Sequence, residues 1–168
     1  MRRAILGSVE LVVSSESNFW VVQRPVVEMC PTEILSFARV AGMRIEGDPF
    51  HGAINTGRID AGKQMMFSNR CAVVGSQGAA FAGDEISLKK SGLRHPSLAE
   101  ILWFYVSYAK AYGGSAPFFG KYIISSSLYP ERDFFVAVAY SYTQAISFVE
   151  FNRGGASEEF AFLAIRNC

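Results

Sequence analysis

Residues 97–112 read SLAEILWFYVSYAKAY, and the way this stretch is buried decides the fold. Ser97 stands three residues before Glu100, the spacing of a capping box, and Gly113-Gly114 closes the segment as a helix stop. Leu98, Ile101, Leu102, Tyr105, Tyr108, Ala109 and Tyr112 recur at helical spacing and share one face. The opposite side carries Trp103, Phe104 and Ala111, which leaves only Glu100, Ser107 and Lys110 to meet water. A helix that is apolar nearly all round is covered on more than one side. It is too short and too polar for a bilayer, which takes roughly 20 apolar residues. The expectation is therefore no membrane, with the second face covered by another part of the chain or by another molecule. Trp103, Phe104, Tyr105, Tyr108 and Tyr112 become the candidate lining of an interface or a pocket.

The segments after this helix predict strands at 121–128, 134–142, 145–152 and 159–166, a four-strand antiparallel meander rich in β-branched and aromatic residues. Phe134, Val136, Val138 and Tyr140 fall on one face; Ala137, Ala139, Ile146 and Phe148 fall on the other. A half-solvated antiparallel sheet alternates apolar with polar, so this one is expected to be covered on both sides. Towards the N-terminus, residues 5–13 (ILGSVELVV) and 19–27 (FWVVQRPVV) predict a hairpin. Pro25, with no N–H, marks an edge or an end. Residues 31–41 predict a short helix, with Pro31 at its first position, Glu33 in its first turn and Gly42 just past its end. The fold class that follows is α+β, one domain over residues 1–168. Antiparallel sheet packs on the long aromatic helix and the short one.

Residues 47–92 differ in texture. Glycines are dense and the apolar runs (QMMF, CAVV, AAFA) are short, as in a looping region that could carry function on a scaffold. Strands at 71–75 and 85–89, and a helix from Asp60 to about Phe67, are the expected elements. Gly57-Arg-Ile-Asp-Ala-Gly62-Lys63-Gln64 has the outline of a phosphate-binding loop. However, Gln64 replaces the magnesium-ligating Ser or Thr, and Asp60 would face the phosphates.

Charged residues make up 18% of the 168-residue chain and the formal net charge is +1, against about 25% charged in an average soluble domain. That balance argues against a nucleic-acid binder, which shows a basic stripe. The shortage of charge points to surface buried against copies of the same chain or a protein partner. Cys30, Cys71 and Cys168 form no C-x-x-C and suggest no metal; as free thiols they fit a reducing, cytoplasmic setting. Glu10 interrupts the N-terminal apolar run, so that segment reads as a strand and not as a leader. No cofactor is implied.

Three patterns touch on chemistry. Cys30 precedes the Pro31 helix, where the dipole favours a thiolate, and His51 or His95 could serve as its base in a cysteine-dependent hydrolase. YIISSSLYP and TQAISFVEF are similar in outline to the serine strand and glutamate of ADP-ribosyl-transferring folds. The paired E-x-E or Q-x-E is missing, so the three serines read as an exposed edge. If Gly154-Gly155 is a two-residue turn, Glu150 and Glu159 stand opposite each other as an acid pair; a longer loop would set Glu150 against Phe160. The functional expectation is a non-enzymatic structural or interaction protein that self-assembles, as in a virion, tail or secretion assembly. A small-molecule-binding domain with an aromatic pocket is the alternative, and the Cys30 hydrolase the second alternative.

Overall fold

The computed structural model describes residues 1–6, 9–15, 19–47, 57–62, 64–68, 72–73, 88–115, 117–118, 120–128, 134–141, 143–151 and 160–166. The fold is α+β, with two mostly antiparallel sheets and three helices among the described residues. In chain order the elements are β1 (Arg2–Leu6), β2 (Val9–Ser15), β3 (Phe19–Gln23), α1 (Pro31–Val40), β4 (Arg44–Glu46), β5 (Gln64–Ser68) and β6 (Ala72–Val73). A helical turn, α2, follows at residues 88–90. Then come β7 (Leu93–Arg94), α3 (Leu98–Ala111), β8 (Tyr122–Leu128), β9 (Phe135–Tyr140), β10 (Ala145–Phe151), β11 (Phe160–Phe162) and β12 (Ile165–Arg166). The first sheet runs β1-β2-β3-β5-β12-β7 and the second β4-β10-β9-β8-β11-β6.

The helix α3 lies between the sheets. It packs on β1 and β2 of the first, on β8 and β9 of the second, and on α1. Every residue from Leu98 to Ser107 is buried, Trp103 at 1% exposure. The Trp103 indole N–H donates to the Gln23 carbonyl at 2.8 Å, so its polar edge is satisfied within the chain. The second covering layer is therefore internal, and Trp103 offers no surface to another molecule. The capping box forms as expected: Ser97 Oγ accepts from Glu100 N–H and Glu100 Oε2 accepts from Ser97 N–H at 2.8 Å. At the other end Gly113 and Gly114 take φ values of +70° and +87°, which side-chain-bearing residues avoid.

The short helix α1 also follows its punctuation. Pro31 opens it, Glu33 and Arg39 complement its dipole, and Gly42 adopts φ +83° beyond the cap residue Ala41. Ile34, Leu35 and Ala38 are buried and form part of the same core as α3.

Several strands depart from expectation. The run 5–13 is two strands, because the chain reverses between Leu6 and Val9, which pair across β1 and β2. Residues 64–68 form β5, paired along its whole length with β3 from Phe19↔Ser68 to Gln23↔Gln64. The expected helix from Asp60 is therefore absent, and so is the helix a phosphate loop would need. Residues 88 and 89 are helical where a strand was expected; the rest of 85–87 lies outside the described residues. Of the strand expected at 71–75, Ala72–Val73 form β6; the rest lies outside the described residues.

The meander holds for β8, β9 and β10 but not for the fourth strand. Residues 160–166 divide: β11 pairs parallel with β8 and antiparallel with β6, while β12 crosses to the first sheet between β5 and β7. Period-two alternation says which face a residue takes but not which strand it joins.

Leu102 is fully buried in the core shared by α3 and both sheets. Leu102→Ala should lower unfolding free energy by about 2–5 kcal/mol, read from the urea midpoint at constant m-value.

Candidate functional site

Two places on α3 concentrate the side chains that could carry function. At its C-terminal end the aromatic residues reach the surface. Trp103, Phe104 and Tyr105 are sealed in the core, while Tyr108 and Tyr112 are half-buried. The two tyrosine rings stack at 4.4 Å with 16° between planes. Trp20 joins them from β3, edge-on to Tyr108 at 6.4 Å and to Phe118 at 5.3 Å. The Arg2 guanidinium lies 5.4 Å from the Tyr112 ring centre, a cation–π contact from β1. Phe118 holds φ at +64°, a costly conformation for a bulky residue. Such a group of rings can stack a planar molecule or hold a cation. The sequence pattern named Tyr108 and Tyr112; Trp20, Phe118 and Arg2 come from segments distant in the chain and escaped it.

Deeper along the same helix, Tyr105 stacks on Tyr140 of β9 at 5.7 Å. The Tyr140 hydroxyl donates to the Gly114 carbonyl at 3.1 Å. Burial pushes its phenol up to about 12 from an ordinary 10.0. Burial, with the neighbouring Tyr112, raises Tyr108 as well. A raised phenol stabilises the fold fully below pH 10, and that contribution is lost as pH climbs towards 12. Absorbance at 295 nm should show a late phenol ionisation, together with falling thermal stability across that window; Tyr140→Phe should remove that step.

At the N-terminal end of α3 lies a polar cluster. Arg94 on β7 grips Glu100 with both guanidinium nitrogens, at 2.7 and 2.8 Å, and Glu100 is 4% exposed. Burial pushes the Glu100 carboxyl up, but the Arg94 bonds and charge, the Ser97 N–H and the Arg24 charge outweigh it. The net direction is down from 4.5. The triple serine of β8 meets this helix end, and it is not an exposed edge. Ser125 and Ser127 are buried, and β8 lies inside its sheet. The register between β8 and β9 shifts across these serines. There Ser127 Oγ accepts from Leu98 N–H at 3.0 Å, Ser126 N–H donates to the Pro96 carbonyl at 2.8 Å, and Ser125 Oγ donates to the Val136 carbonyl at 2.8 Å. His95 is buried beside Pro96, at 7% exposure.

Among the described residues the remaining candidates do not gather. Cys30 caps α1 and is partly exposed, and its N–H donates to Glu33 Oε2 at 2.7 Å. That bond comes first, and the Cys30 side chain second, in lowering the Glu33 carboxyl. The positive end of α1 is thus already occupied by a carboxylate. No hydrogen bond joins Cys30 to His95 among the described residues; His51, Cys71 and Cys168 lie outside them. Glu150 is exposed and sits opposite Val136 of β9, with β9 and β8 between its strand and β11. Phe160 pairs with Tyr122, so the pairing of Glu150 with Phe160 does not form; Glu159, and with it the expected acid pair, lies outside the described residues.

Among the described residues no helix is long and apolar enough to cross a membrane. No family model, curated protein or solved structure matches this chain.

The pair formed by Glu100 and Arg94 gives a stability test. A lowered carboxyl stabilises the fold above its unfolded value near 4.5, and that stability is lost as pH falls through the folded value. Glu100→Gln should cost about 2–3 kcal/mol at pH 7, between the cost of surface and buried pairs, since Arg94 is partly exposed. The difference from wild type should shrink in urea titrations repeated towards pH 3.

Proposed function

We propose that the protein is non-enzymatic and works by burying apolar surface against copies of itself. It would do so as a homo-oligomer or as a repeated subunit of a larger virion, tail or secretion-type assembly. The observation that carries this reading is a surface poor in charge on which large apolar side chains stand in water. Val26 is 79% exposed, Val27 62% and Val40 77%, while charged residues are 18% of the chain. Single exposed valines are ordinary. Two adjacent ones beside Pro25, on a surface with few charges, support an association surface. Trp103 plays no part in it, being covered from within. The partner is the same chain or another protein, with neither nucleic acid nor membrane involved, and the setting is the cytoplasm.

The half-buried rings of Tyr108, Tyr112 and Phe118, with their strained turn, favour a second reading, a small-molecule-binding domain that takes a planar or cationic ligand. Ligand binding there would change Trp20 fluorescence, since its indole touches both Tyr108 and Phe118.

Sedimentation velocity over a hundredfold range of protein concentration separates the two. Self-association predicts a mass rising above the 18.5 kDa of one chain. A single monomeric species at every concentration sinks the first reading and leaves the second.

A further inference from the structure

The second sheet ends in β4, and among the described residues no strand lies beyond it. β4 runs parallel to β10 with Ile45 level with Ile146, and Arg44 N–H donates to the Gln144 carbonyl at 2.9 Å. In such a ladder alternate residues bond to the same neighbour. Arg44 and Glu46 therefore turn their backbone groups to β10, and Ile45 turns its N–H and C=O outward. The Arg44 and Glu46 side chains are 62% and 56% exposed and stand 3.8 Å apart, one cation and one anion on one short edge. Val40 stands exposed at the end of α1, which packs on β4.

We infer that this edge pairs with the same edge of a second copy, antiparallel about a two-fold axis at Ile45. This rests on the self-association reading and adds a strand edge to its surface. At that register each Ile45 donates to and accepts from its counterpart, and Arg44 faces the partner's Glu46 twice over. The register is specified by charge. A shift of one residue sets Arg44 against Ile45, and a shift of two opposes Arg44 to Arg44 or Glu46 to Glu46. A uniformly acidic or basic strand from another protein would satisfy one of the two charges and repel the other. The strand is its own best complement.

Sedimentation equilibrium on wild type and three variants tests the pairing. Ile45→Pro removes an N–H that the sheet does not use, a position where an edge strand tolerates proline. Glu46→Arg opposes like charges across the axis. Both should raise the dimer dissociation constant by about tenfold or more. Arg44→Glu combined with Glu46→Arg restores opposite charges and should return the constant to the wild-type value. Circular dichroism melts confirm that each variant is folded. Self-association as strong in all three variants as in wild type overturns the β4 surface and leaves self-association standing. A double variant as dissociated as Glu46→Arg overturns the register, and a wild type that stays monomeric removes both ideas.

Discussion

From Leu98 to Ser107 the helix α3 has no side left for water, and the other elements are arranged by that constraint. Trp103, Phe104 and Tyr105 point in different directions around the helix, and each needs an apolar cover. One sheet alone covers one stripe. The chain answers with a sheet on either side and α1 on a third, so that Phe67 of β5 meets Phe104 at 4.8 Å, Tyr140 of β9 meets Tyr105, and Phe37 of α1 meets Trp103 at 6.3 Å. Rings filling such different gaps fix how the layers sit, because interior packing tolerates little empty volume.

Burying a helix on all sides also buries its end, where the first N–H groups have no helical partner. The protein solves this with side chains drawn from both sheets. Ser97 and Glu100 satisfy two donors locally, Ser127 of the second sheet takes the Leu98 N–H, and Arg94 of the first sheet neutralises Glu100. A buried ion pair adds little net stability over an apolar substitute, but its geometry is exacting. Here that geometry ties β7, β8 and α3 together at one point.

Legibility in the sequence followed the range of the forces involved. Helices α1 and α3 carry their own caps, so their limits were readable from local residues, as was the capping-box role of Glu100. The strands β8, β9 and β10 were readable because short turns separate long runs rich in β-branched and aromatic residues. The Gly7-Ser8 pair between Leu6 and Val9 was a hairpin signal hidden by alternation that continued through it. β5 was missed because QMMF is short and Asp60 resembles a cap. The Arg94 partner of Glu100, the burial of the serines and the Trp20–Phe118 contact depend on segments brought together only by the fold. No local spacing encodes them.

The division of the last described segment bears on how the chain is made. β11 completes one sheet by entering between β8 and β6, and β12 completes the other by entering between β5 and β7. Until Phe160–Arg166 has emerged from the ribosome, both sheets stand split, with inner strand edges uncovered. Pairing of Ile165 with Phe67 also closes a loop across more than half the chain, a slow kind of contact to form. Nascent chains thus pass through a state whose sticky edges invite association with neighbours on the same message.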